Sequence, residues 1–189
     1  SLLDALDHPE GCIVTAVSWA PYSGRLASAD NFNNYIIWEP ESTGQNDRCK
    51  WKYYYNSHFI GNPIKCISWS IWDFVICMCN NNFTIYHTNF TPKSENKLIQ
   101  VHQEHIPTIF CSHSRDSRFI LTIPENSKDI ILYYRRENSA EYTKIYLTHP
   151  SVVKSARWRT SERIHERCLF MTIAKDHVLR IWSETCVNE

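Results

Sequence analysis

Glycine is scarce in this chain, with four residues in 189. A phosphate cradle built from backbone amides is hard to assemble from so few. Turns must be made mostly by Asn, Asp, Ser and Pro. Neither sign of charge is in excess, with 20 basic against 20 acidic side chains. Phosphate-binding surfaces usually carry a basic surplus, so no nucleic-acid partner is expected. One local concentration, Arg157, Arg159, Arg163 and Arg167, is interrupted by Glu162 and Glu166 and reads as a solvated face. No window approaches 18 consecutive apolar residues, so no membrane span is expected. The opening Ser-Leu-Leu-Asp-Ala-Leu-Asp has neither the basic nor the apolar region of a signal peptide. Without an initiator Met it reads as a piece of a longer chain.

Catalytic signatures are missing as well. Ser, His, Cys and Asp all occur, but no nucleophile elbow or paired-carboxylate motif organises them. The eight Cys are scattered, and in a cytosolic protein they read as small buried hydrophobes. Cys77 and Cys79 share one face of a strand, yet no second Cys pair or nearby His completes a zinc set at the usual spacing. His102 and His105 lack the helical His-Glu-x-x-His context. No catalytic, cofactor-binding or metal-ligating residue is therefore expected, and the chain reads as a non-enzyme.

What is present is a core and a repeat. Hydrophobic residues make up 43% and aromatics 13%, including seven Trp and ten Tyr. Four apolar runs end in an aromatic: Ile36-Ile37-Trp38, Thr84-Ile85-Tyr86, Leu132-Tyr133-Tyr134 and Leu179-Arg180-Ile181-Trp182. The closing residues 38, 86, 134 and 182 are spaced 48 apart. Each run is preceded by a strand with its own marker, at Trp19, Trp69, His113 and Trp158. These markers step by 50, 44 and 45 residues, near the ~40–45-residue period of a WD-type blade. Alternation such as Thr15, Val17, Trp19 against Val14, Ala16, Ser18 is the strand signal. Asn- and Asp-rich turns separate the strands, and outer strands follow near 50–55, 97–102 and 142–147.

The expected fold is therefore all-β: a WD-repeat β-propeller segment over 1–189, with four blades of four antiparallel strands at about 1–48, 49–96, 97–144 and 145–189. One such sheet cannot bury both faces, whereas stacked blades can. The structural markers are His8, Trp19, Asp30, Trp38, Trp69, Tyr86, His113, Tyr134, His149, Trp158, Asp176 and Trp182. His8 with Asp30, and His149 with Asp176, are read as buried networks pinning a turn to a neighbouring strand. The middle blades offer only His58 or His105 and are expected to be less regular. Rings of this type usually have more than four blades. Four alone leave open edges, so the segment is expected to belong to a larger ring or to be completed by a partner. Loops 41–49, 88–96 and 159–168 are the candidate recognition surfaces. Residues 160–167 read as a loop or one helical turn.

The last blade carries the most specific pattern. His149-Pro150 leads through Val152-Val153 to Trp158-Arg159-Thr160-Ser161, and Arg180-Ile181-Trp182-Ser183-Glu184-Thr185 follows. This resembles the DmX-like (rabconnectin) family, which includes the fungal scaffold subunit that regulates the vacuolar proton pump. Trp38-Glu39-Pro40, Lys50-Trp51 and Ile67-Ser68-Trp69 are similar, more loosely, to that family's amino-terminal propeller. The resemblance implies a cytoplasmic scaffold peripheral to endomembranes. Its expected partners are V-ATPase subunits or assembly-complex subunits, and no cofactor is implied. His113 in place of Trp, and Tyr133-Tyr134 in place of a WD-like pair, depart from the pattern. Val14 to Pro21 would equally suit an open coat or nuclear-pore propeller.

Overall fold

The computed structural model describes residues 5–41, 50–58, 61–90, 98–135, 141–159 and 168–183. These form fifteen strands and, among the described residues, no helix. The strands are β1 (Val14–Trp19), β2 (Leu26–Asp30), β3 (Asn34–Glu41), β4 (Lys50–His58), β5 (Cys66–Trp69), β6 (Val75–Cys79), β7 (Phe83–Thr88), β8 (Leu98–Glu104), β9 (Thr108–His113), β10 (Phe119–Pro124), β11 (Asp129–Arg135), β12 (Tyr142–Thr148), β13 (Val153–Trp158), β14 (Leu169–Ala174) and β15 (Leu179–Ser183). Each pairs antiparallel with its sequence neighbour, giving sheets β1–β4, β5–β8, β9–β12 and β13–β15. The first three sheets have four strands and the last has three among the described residues.

The hydrogen bonding refines the blade limits. Boundaries at 48 and 96 cut just ahead of an outer strand, and one at 144 cuts through β12. Lys50–His58 bonds to β3, Leu98–Glu104 to β7 and Tyr142–Thr148 to β11. Every outer strand thus closes the sheet before it.

The rarity of glycine is met at the turns by other residues. Asn33, Asp73, Ser117, Asn126 and His177 all take positive φ, between 55° and 67°. Asn and Asp tolerate this region better than bulkier residues. Two of these residues also tie blades together. The Asp73 carboxylate accepts from the Tyr22 and Ser23 amides of blade 1 at 3.2 and 2.6 Å. Ser117 Oγ accepts from the Ile71 amide of blade 2 at 2.6 Å.

The core is three layers, one at each blade junction. Ala27, Ala29, Tyr35 and Ile37 of blade 1 pack on Ile64, Ile67 and Ile76 of blade 2. Cys77, Cys79, Phe83 and Ile85 of blade 2 pack on Cys111, Ile120 and Ile131 of blade 3. Leu121, Ile123, Ile130 and Leu132 of blade 3 pack on Val153, Ala156 and Phe170 of blade 4. Burial of this apolar area drives the stacking.

Candidate functional site

In blade 1 the markers form one chain of hydrogen bonds. The Trp38 indole donates to Ser28 Oγ at 2.7 Å, and Ser28 Oγ lies 2.7 Å from His8 Nε2. His8 Nδ1 lies 2.9 Å from Asp30 Oδ2. Asp30 also accepts from the Phe32 and Asn34 amides and from Asn34 Nδ2, at 2.8–3.0 Å. Burial by itself would raise the Asp30 carboxyl. Hydrogen bonds from Asn34 and His8 outweigh burial and hold it at about 2. With Asp30 ionised, His8 Nδ1–H donates to it.

Ser28, His8 and Asp30 thus have the connectivity of a hydrolase triad, but no room for its chemistry. Ser28 and Asp30 are buried, and the Ser28 oxygen is already engaged by the Trp38 indole. A triad serine must meet a substrate carbonyl. This one faces only its own blade, so its network fixes the 30–34 turn.

Blade 4 builds a shorter relay. The Trp182 indole donates to Thr172 Oγ1 at 2.9 Å, and Thr172 Oγ1 lies 2.7 Å from His149 Nε2. His149 Nδ1 then meets the Leu147 carbonyl at 3.1 Å. The pairing of Val14 with Asp30 is matched by that of Val153 with Ala174, so the place of the carboxylate is filled by Ala174. The reading of Asp176 as His149's partner is corrected. Asp176 lies two residues further on, in the turn, and pairs with Arg180 at 2.6 Å. The half-buried Arg180, four residues on, takes both carboxylate oxygens, at 3.2 and 2.6 Å.

The marker strands share one register. Trp19, Trp69, His113 and Trp158 pair with Leu26, Ile76, Ile120 and Phe170. Trp19 is 59% exposed and packs on Trp51 at 5.4 Å. Trp69 is buried, and the Trp158 indole donates to the Ser112 carbonyl of blade 3 at 3.0 Å. Leu26, Ile76, Ile120 and Phe170 pair onward with Trp38, Tyr86, Tyr133 and Trp182. The closing aromatic of blade 3 is therefore Tyr133 rather than Tyr134. A one-residue shift sends a side chain to the other face: Tyr133 is buried against Phe83 at 4.6 Å, and Tyr134 is half-buried.

The middle blades carry Met78 and Thr122 where blade 1 has Ser28, and Asn80 and Pro124 where it has Asp30. His58, the last residue of β4, instead faces Asn34 across the blade 1 ladder at 3.4 Å, and His105 reaches Asn82 of blade 2 at 3.3 Å. His113 has a new role. Ser68 Oγ lies 3.0 Å from its Nδ1 and accepts its amide at 2.9 Å, while Nε2 faces Cys77 Sγ at 3.5 Å. Burial pushes His113 down to about 3, so it is neutral at neutral pH.

One repeated feature ends without a partner among the described residues. Positions 27, 29, 35 and 37 of blade 1 correspond in register to Cys77, Cys79, Phe83 and Ile85, to Leu121, Ile123, Ile130 and Leu132, and to Met171, Ile173, Leu179 and Ile181. The first three quartets are buried under the next blade. The fourth is 45, 45, 54 and 73% exposed. On blade 1, at the other end of the stack, Ile13, Val17 and Trp19 are exposed too. A hollow of about 50 Å³ on the blade 4 face, lined by Met171, Ile173 and Leu179, is far smaller than the ~300–1,000 Å³ of a small-molecule pocket.

No protein family and no curated protein matches the chain in sequence. Solved structures do match its fold. The Myceliophteria thermophila Cps50 (Swd1) β-propeller domain superposes with a TM-score of 0.66 at 12% identity, over 91% of this chain and 54% of that one. Saccharomyces cerevisiae Sqt1 superposes with a TM-score of 0.68 at 10% identity, over 89% and 44%. The chain has the fold of a partial WD-type β-propeller. It spans about half the length of these two propellers.

The propeller loops proposed for recognition lie mostly outside the described residues, since 42–49, 91–97 and 160–167 are not among them. Spacing also hid one constellation. Cys66, Cys79 and Cys111 converge across the blade 2–blade 3 junction, although no local motif joins them. No helix among the described residues is long and apolar enough to cross a membrane.

Proposed function

We propose that this chain is a non-catalytic protein–protein interaction scaffold, and that its exposed end faces are covered by further propeller sheet. The observation that carries this reading is the Met171, Ile173, Leu179 and Ile181 quartet. It repeats the residues that hold the three internal junctions, yet none of the described residues covers it. An apolar sheet face of this kind marks an interaction site. The sealed Ser28–His8–Asp30 network supports a structural use of the polar residues.

The finer reading is a role in assembling the V-ATPase, at the cytoplasmic side of endomembranes, by bringing the pump's soluble sector to its membrane sector. Its support is the resemblance of the last blade to the DmX-like family. Affinity capture of the full chain from cells, followed by identification of bound proteins, is the test. V-ATPase subunits are the expected catch. The two uncovered ends favour one other reading, an open propeller completed by a blade from a coat or nuclear-pore partner. Recovery of those complexes without V-ATPase subunits would replace the first reading with the second.

A further inference from the structure

Three thiols meet where blade 2 packs on blade 3. Cys66 opens β5, Cys79 closes β6 directly across the ladder from it, and Cys111 lies on β9 of the next blade. Their Sγ atoms all lie within 4.8 Å of one another. Cys79 and Cys111 are buried and Cys66 is half-buried.

The blade fold does not require cysteine here. In register, Cys66 corresponds to Ala16, Phe110 and Ser155, Cys79 to Ala29, Ile123 and Ile173, and Cys111 to Val17, Ile67 and Ala156. Small, aliphatic and aromatic residues all serve elsewhere, and only this junction has sulfur at all three positions. Besides meeting one another, the thiols donate to backbone carbonyls, among them Cys66 Sγ to Cys111 O at 3.3 Å and Cys79 Sγ to Cys66 O at 3.8 Å.

We propose that Cys66, Cys79 and Cys111 form a three-sulfur site for a soft monovalent metal cation of the copper(I) class. Thiolates select soft ions. With metal–sulfur bonds of about 2.3 Å, a planar trigonal site sets its sulfurs roughly 4.0 Å apart, a spacing that falls inside the 4.8 Å within which all three lie. Zinc would ask for a fourth ligand. Two other donors of this junction, Cys77 Sγ and His113 Nε2, face each other at 3.5 Å. Phe83, Ile85, Ile120 and Ile131 of the same junction are apolar.

Cys66 is the most accessible of the three sulfurs. Each thiol that becomes a ligand releases its proton to water. The bound ion joins β5, β6 and β9 and so fastens blade 2 to blade 3.

The test is anaerobic titration of the reduced full chain with copper(I). It is read by thiolate-to-metal charge-transfer absorption, by native mass and by X-ray absorption at the metal. The expected result is one ion per chain, a shell of three sulfurs and a raised melting temperature. Cys66→Ser, Cys79→Ser and Cys111→Ser should each weaken binding by more than the roughly 10–100-fold that loss of an outer partner costs. Cys77→Ser should leave binding intact. If the buried variants fail to fold, Cys66→Ser and the wild-type sulfur count still decide. A shell of two sulfurs, binding indifferent to Cys66→Ser, or isolation of the chain with a Cys66–Cys79 disulfide would overturn the proposal.

Discussion

The Trp38 indole donates to Ser28 Oγ at 2.7 Å, and in the same movement of the chain that oxygen meets His8. One buried hydroxyl thus serves two aromatic partners. Trp182 and Thr172 repeat the contact in blade 4 at 2.9 Å. The two blades differ in how deeply the partners are sealed, because Trp38 is buried and Trp182 is half-buried.

Ser28→Ala is expected to leave the Trp38 N–H and His8 Nε2 without partners. At about 1–3 kcal/mol for each orphaned group, the loss should be about 2–6 kcal/mol. Thr172→Val removes the same pair of contacts in blade 4 and should cost less, because water reaches Trp182. Urea unfolding of both variants checks this. The midpoint should fall further for Ser28→Ala, with the slope unchanged.

Asp30 gives blade 1 an acid limit. Its folded value of about 2 lies below the ordinary 3.8. Below the ordinary value the unfolded chain binds a proton that the folded chain does not. The stabilisation is therefore complete above about pH 4 and is lost as pH falls towards 2. The shift corresponds to about 2 kcal/mol. Asp30→Asn should remove this part of the acid transition, as read by unfolding free energy against pH.

His113 acts higher on the pH scale. Burial lowers it from 6.5 to about 3. Between those values the unfolded histidine is protonated and the folded one is not, so stability falls as pH is lowered through that window. The slope is about 1.4 kcal/mol per pH unit. His113→Phe keeps an aromatic ring against Cys77 and should flatten the curve between pH 6.5 and 4. It also leaves Ser68 Oγ without its ring partner, so a modest loss at neutral pH is expected beside the flattening.

The repeat was legible because period-two alternation and the marker aromatics survive in every blade. Trp19, Trp69 and Trp158 announce three inner strands, and Trp38, Tyr86 and Trp182 announce three closing strands. Blade 3 misled by one residue. Two adjacent tyrosines satisfy the spacing equally, and only hydrogen-bond register separates Tyr133 from Tyr134. Asp176 misled because a turn carboxylate near a closing Trp looks the same whether it faces a histidine or an arginine. The thiol cluster was invisible for another reason. Cys66, Cys79 and Cys111 come from three strands of two blades, and their meeting is set by blade stacking, which local spacing does not encode.

The uncovered quartet yields the sharpest comparison, because Ile181 and Leu132 hold the same register position on successive blades. Leu132 is sealed under blade 4, while Ile181 is 73% exposed. Leu132→Lys buries an unpaired charge and should cost about 4 kcal/mol or more. Ile181→Lys should change stability by no more than about 0.5 kcal/mol. The same substitution should, however, abolish capture of any sheet that docks on blade 4, since a lysine cannot be desolvated at such a junction. Thermal unfolding of both variants measures the first difference, and affinity capture with wild type and Ile181→Lys measures the second. Unchanged capture by Ile181→Lys would mean that partners reach the protein through its loops and not through the open end of the stack.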